Sequence, residues 1–151
     1  MWWLPLAIAG PFLIVVVVLV VVFGAIRKAL DRAAEALAPE GVELDSGRVT
    51  VTTRYKSFRA PGITHYGGIK RVPARLVLTK QRLHILMRPQ RYGVFERSTL
   101  DKFTVGTLDG KLHLHSSEPP GASGSVDYRV AVPDVDSWVT ALAAAGAKRA
   151  A

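Results

Sequence analysis

Hydrophobic and polar positions divide the chain into three regimes. From Met1 to Ile26 no side chain is charged, and Val, Leu and Ile dominate. From Ile26 to Leu37 the apolar residues Ile26, Leu30, Ala34 and Leu37 recur at helical spacing, with Arg27, Lys28, Asp31, Arg32 and Glu35 between them. Beyond Gly41 the period falls to two: Val49, Val51 and Tyr55 alternate with Arg48, Thr50, Thr52 and Arg54, the pattern of a half-buried strand.

The first regime predicts a membrane-spanning helix over residues 1–26. A bilayer core of roughly 30 Å needs about 20 helical residues to satisfy the backbone internally. A cleavable signal peptide would carry a basic segment first and a shorter apolar core; nothing basic precedes Arg27 here, and Val22-Phe23-Gly24 is a poor cleavage site. A buried soluble helix is the other alternative, but Leu13 to Phe23 has no polar face. Trp2 and Trp3 suit the headgroup level at one end, with Arg27 and Lys28 at the other. Arg27, Lys28 and Arg32 follow the span and only the amino terminus precedes it, so the positive-inside rule expects a single-pass cell-membrane protein, N-terminus outside and C-terminal bulk cytoplasmic. The absence of cysteine fits a reducing compartment and equally an extracellular domain without disulfides.

The second regime predicts an exposed helical stalk over 27–39, stopped at Ala38-Pro39-Glu40-Gly41; its alanine-rich stripe suits a membrane-surface helix less well. The third predicts one mainly β domain over 40–146 and a disordered tail over 147–151. Lys56 to Pro73 reads as a long basic loop with room for a short strand inside it, because Pro61, Gly62, Gly67, Gly68 and Pro73 punctuate it. Arg75–Thr79 and Arg82–Met87 read as a hairpin across Lys80-Gln81, Tyr92–Phe95 as a short strand, and Phe103–Leu108 and Lys111–His115 as a hairpin about Asp109-Gly110. Ser116 to Ser125 reads as a mobile connection, and Val126, Tyr128 and Val130 as a further strand. A closing helix is capped by Asp134, carries Val135, Trp138, Val139 and Leu142 on one face, and ends at Gly146. The expected class is therefore α+β: about seven antiparallel strands in a curved, partly open barrel capped by a C-terminal helix.

Charge changes the picture more than composition does. The net charge is +8, yet residues 46–95 carry eleven Lys and Arg and no Asp or Glu, while 27–45 sum to −2 and 96–151 to −1. A domain so charged and tethered to a bilayer is drawn to anionic lipid, at about 1 kcal/mol per base near the leaflet. Nucleic acid would use the same charges, but the anchor and the sparse aromatics (Tyr55, Phe58, Tyr66, Tyr92) argue against it. The bland alternative is that these bases are solvated strand faces and edge protection.

The run Leu76-Val77-Leu78-Thr79-Lys80-Gln81-Arg82-Leu83-His84-Ile85 resembles the hairpin of GRAM-like and bacterial pleckstrin-homology-like domains. Phe95-Glu96-Arg97-Ser98-Thr99-Leu100 is similar to the segment before their next strand, and Trp138 stands where their terminal helix commonly has Trp. The resemblance covers roughly Ala74 to Ala145, and the segment before Pro73 departs from it in length and composition. It implies a PH-like fold whose first hairpins contact lipid phosphates. Carried onto this chain, the candidates are Lys56, Arg59, Lys70, Arg71 and Arg75, with Lys80 in the hairpin turn.

Catalytic chemistry finds little support. His113 and His115 share one side of a strand, but zinc would need a further ligand and the chain has no Cys. His65 and His84 stand alone, and Gly67-Gly68 before Lys70 is too short for a phosphate cradle. Glu96 and Asp101 have no evident acid-base partner, and no P-loop, His-Glu-x-x-His or nucleophile elbow occurs. The expectation is a non-enzymatic binding or scaffolding module without metal or cofactor, its basic face on anionic phospholipid. The alternative is an interaction module that recruits a membrane-protein partner.

Overall fold

A computed structural model describes the backbone of residues 4–87 and 92–150 and the side chains of residues 9–63, 67–87 and 92–150. Trp2, Trp3, Arg88, Arg91 and the His65 ring lie outside the described residues. One helix, α1 (Leu4–Glu35), runs without interruption from the apolar segment into the charged one. It is long and apolar enough to cross a membrane, with a mean hydropathy of 2.9 in its apolar part and none of that part buried by the rest of the protein.

The remainder is one curled mixed sheet that makes a half-barrel. Its strands are β1 (Val42–Asp45), β2 (Val49–Ala60), β3 (Ile63–Thr79), β4 (Arg82–Met87), β5 (Val94–Glu96), β6 (Thr104–Leu108), β7 (Lys111–Ser116), β8 (Ser123–Val130) and β9 (Lys148–Arg149). They are ordered β5-β4-β3-β2-β8-β7-β6-β9, with β1 paired to β3. Two strands exceed the expected seven for local reasons. β1 continues the line of β2 along the same side of β3, and β9 adds a parallel pair to β6 where a disordered tail was expected. Ala150 N–H donates to the Val105 carbonyl at 2.8 Å, so the tail is held there.

The long basic loop expected over Lys56–Pro73 is instead the far part of a β2–β3 hairpin turning at Pro61-Gly62. Pro73 is tolerated because, among the described residues, β4 meets β3 only from Ala74 to Leu78, and none of them needs the missing N–H on that side. The β3–β4 turn at Lys80-Gln81 lacks favoured turn residues, and a buried hydroxyl compensates. Thr79 Oγ1 accepts from the N–H groups of Gln81 at 3.2 Å and Arg82 at 3.0 Å. Asp109 and Gly110 both have positive φ, 53° and 71°, as a tight β6–β7 turn demands.

The core collects the inward positions of β2 to β8, among them Val51, Leu76, Ile85, Leu112 and Tyr128, under helix α2 (Val135–Ala144). Asp134 caps α2 by accepting from Ser137 N–H at 3.3 Å, and Trp138 and Leu142 are its buried face.

The stalk differs most from expectation. Leu30 and Ala34 are buried against Val77 of β3 and Leu86 of β4, so α1 is docked on the outer face of the sheet. Ion pairs fasten it: Asp31 meets Arg48 at 2.5 Å and Arg75 at 3.0 Å, and Arg75 also meets Asp45 of β1 at 2.6 Å. The Arg75 hydrogen bond holds the Asp45 carboxyl below its ordinary 3.8. A depressed folded-state pKa means that this stabilisation is present above 3.8 and is lost as pH falls through the folded value. The urea midpoint of the domain is therefore expected to drop on acidification below 3.8, and to drop less in Asp45→Asn, which has no proton to gain there. Identical acid profiles for the two proteins would contradict this.

Candidate functional site

The ion pairs divide the bases into two groups. Arg48, Arg75, Arg82 and Arg97 each meet a carboxylate at the α1–β1 junction or beside the β3–β4 turn. Arg54, Lys56, Arg59, Arg71 and Arg129 have no such partner among the described residues, and all but Arg129 are well exposed. The local excess of charge thus becomes a free basic surface on β2, β3 and β8.

Strand register arranges that surface. Arg71, Thr52, Arg129 and His113 stand side by side across β3, β2, β8 and β7, and the next row is Ile69, Arg54, Asp127 and His115. Lys56 follows opposite Ser125, and Arg59 opposite Ser123. Side chains two apart on a strand share a face, so Arg54, Lys56, Arg71, Ile69 and Arg129 form one outward patch. Two depressions mark it: about 200 Å³ among Arg54, Lys56, His115, Ser125 and Asp127, and about 60 Å³ among Thr52, Arg54, Ile69, Asp127 and Arg129. At the β2–β3 turn a more open recess of about 510 Å³ lies among Arg59, Ala60, Pro61, Gly62, Ile63 and Gly121. Its neighbouring rim is tied by Tyr92, whose hydroxyl donates to the Pro120 carbonyl at 2.6 Å; burial pushes that phenol above its ordinary range and keeps it neutral.

The expected site residues separate accordingly. Lys56, Arg59 and Arg71 belong to the free surface. Lys70 pairs with Thr53 in the ladder and so projects from the opposite side of β3 to Arg71. Arg75 is engaged by Asp31 and Asp45, and Lys80 lays its stem over Gly41 at the far turn. Arg27 and Lys28 are exposed on α1 just before its docked turns. Arg54 and Arg129 join the surface only through strand pairing; Arg129 lies outside the basic segment, so no local signal in the sequence marks it. The alternation of Val126, Tyr128 and Val130 does predict its outward face.

His113 and His115 face the same way, as their spacing predicts, and both contact Asp127 Oδ1, at 2.5 Å from Nε2 and 3.2 Å from Nδ1. The two rings converge on one oxygen, with Arg54 and Arg129 alongside, and that environment disfavours a cation. No group of His, Asp and Glu suited to a metal forms among the described residues.

The direction of α1 relates this surface to the apolar helix. Asp31 lies at Arg75, and ten residues later Gly41 lies at Lys80, its carbonyl accepting from the Lys80 N–H at 3.0 Å. The docked part of α1 therefore runs in the same sense as β3, toward the β3–β4 turn. Its apolar part leaves in the opposite sense, toward the end of β3 that bears Arg71, Ile69 and the Pro61-Gly62 turn. From Asp31 back to Arg27 is roughly 6 Å of helix, and from Arg75 back to Arg71 and Ile69 roughly 13 and 20 Å of strand. The free bases lie at the end of the domain from which the apolar helix departs.

No family model, curated protein or solved structure matches this chain.

Proposed function

We propose that the chain is a single-pass membrane protein whose β domain acts as a non-enzymatic binding module, applying its free basic surface to anionic lipid of the cytoplasmic leaflet. The observation that carries this reading is the division of the bases. Arg48, Arg75, Arg82 and Arg97, away from the departing helix, each meet a carboxylate, and Arg54, Lys56, Arg59 and Arg71, at its end of the domain, meet none among the described residues. A PH-like or GRAM-like domain fits the order of the strands, a meander from β2 to β5 and another from β6 to β8, joined by β2–β8 pairing and covered by α2. The motif over Leu76–Ile85 supports the same family. Positive-inside bias from Arg27, Lys28 and Arg32 supports the orientation.

Energy transfer from a dye on α2 to a headgroup acceptor, with the full chain in nanodiscs, tests the reading. Transfer is expected to be stronger in discs containing phosphatidylserine than in pure phosphatidylcholine, and to weaken with salt. Reversing Arg54 and Arg71 to Glu should cut the population held at the surface by at least about tenfold, at about 1 kcal/mol per base. Equal transfer in both kinds of disc would sink it.

One observation favours a second reading, a module that recruits a membrane-protein partner. Residues 63–73 of β3 have β2 on one side and no strand on the other among the described residues, which leaves an edge for strand addition. Cross-linking in membranes would then give one dominant species that is insensitive to the charge reversals.

A further inference from the structure

Ile69 breaks the chemistry of the surface on which it sits. The residue is 65 % exposed, against 43 % for Val42 and 44 % for Val94, the other exposed large apolar residues described outside α1. It is more exposed even than Leu19, at 50 %, on the apolar helix itself. The exposure is fixed by register. Ile69 opposes Arg54 in the β2–β3 ladder, and the parity that turns Leu76 and Leu78 inward turns Ile69, Arg71 and Val77 outward. Val77 is covered by α1, whereas Ile69 is covered by nothing described. Around it stand Arg54 and Arg71, with Arg129 one strand further on, and it lies at the end of the domain from which the apolar helix departs.

We propose that Ile69 is an insertion point: its side chain enters the headgroup–acyl boundary of the anionic leaflet that α1 crosses, while Arg54 and Arg71 beside it pair with lipid phosphates. This rests on the reading of a membrane-facing basic surface and adds to it a contact that charge alone does not supply. A lone isoleucine facing water gains nothing there. Flanked by bases within reach of a bilayer, the same side chain moves apolar area out of water, and its bases keep their partners at the phosphate level. The β-branched residue is held in a paired strand, so insertion loses little side-chain entropy.

The chain has no cysteine, so a single introduced thiol carries a probe to one place. Ile69→Cys and Thr140→Cys, the latter on the exposed side of α2, are each labelled with a polarity-sensitive dye in the full chain. The labelled proteins are placed in nanodiscs of phosphatidylcholine with or without phosphatidylserine and with acyl-chain nitroxide lipid. The dye at 69 is expected to shift to the blue and be quenched in the serine-containing discs, and the dye at 140 to do neither. An unlabelled side chain at 69 supplies the second arm, with a transfer dye at 140 and a headgroup acceptor. Ile69→Ser should lower the surface-held population roughly tenfold, and Ile69→Leu should preserve it. If transfer from 140 depends on phosphatidylserine but the dye at 69 stays in water and Ile69→Ser changes nothing, insertion is overturned and electrostatic apposition stands. If transfer from 140 is the same in both discs, the membrane-facing reading itself has failed.

Discussion

Gly124→Ala is expected to destabilise the domain by on the order of 3 kcal/mol or more, seen as a lower urea midpoint and a loss of Phe58 from the core. Gly124 has φ +86°, and a Cβ there would fall on the Ser57 carbonyl and 2.7 Å from that of Lys56. The clash is of a Cβ with backbone atoms, so no rotamer change relieves it. Ser57 is itself left-handed at φ +51°, and the β2–β8 register breaks between Lys56 and Arg59. This bulge returns Phe58 to the interior and sends Lys56 and Arg59 outward. The glycine on one strand thus permits the bulge on the other, and the bulge places two bases of the free surface. Gly121→Ala is the comparison: φ is +68° but the space is open, so the cost should be only about 1 kcal/mol. Equal losses for the two variants would show that the clash with Ser57 is not decisive.

Phe95→Ala should cost a further large amount, about 3–5 kcal/mol, because Phe95 sits where the half-barrel has no hydrogen bonds to close it. The ends of the sheet, β5 and β6–β9, do not pair. Phe95 bridges them with its ring 4.7 Å from Phe103, 5.2 Å from Tyr92 and 6.3 Å from Tyr128, and is 1 % exposed. β5 is only three residues long, so a cavity there cannot be shared along a ladder. Chemical denaturation in detergent, monitored by Trp138 on the buried face of α2, would measure the loss. A change below about 1 kcal/mol would mean that the turn over Arg97–Lys102 and the helix contacts, not the aromatic seam, hold the two ends together.

Much of this fold was legible where local chemistry and tertiary demand agree. The apolar helix, the Asp109-Gly110 turn, the Asp134 cap and the alternation of Val126, Tyr128 and Val130 each satisfy a rule that needs no distant partner. The long β3 strand was not legible. Gly67, Gly68 and Pro73 read as loop chemistry, and they are acceptable in a strand because that edge has no second neighbour among the described residues. The docking of α1 was hidden for a different reason. Leu30 and Ala34 look like a weak stripe until Val77 and Leu86, some fifty residues away, present a matching patch. The candidate site was half visible. The sequence located the excess of bases but not which ones Asp31 and Asp45 would neutralise, and Arg54 and Arg129 became members only through cross-strand pairing.

The docked turns of α1 have a mechanical consequence. With Leu30 and Ala34 seated on the sheet and Asp31 clamped between two arginines, the helix meets its domain without a swivel. In a bilayer, a helix adjusts to hydrocarbon thickness chiefly by leaning. Here any lean is transmitted to the domain as a change of attitude. If the apolar helix spans a bilayer as proposed, a thicker membrane would stand it upright and alter the pitch of the Ile69 face against the headgroups, making the domain a lever whose fulcrum is the point where Arg27 leaves the lipid.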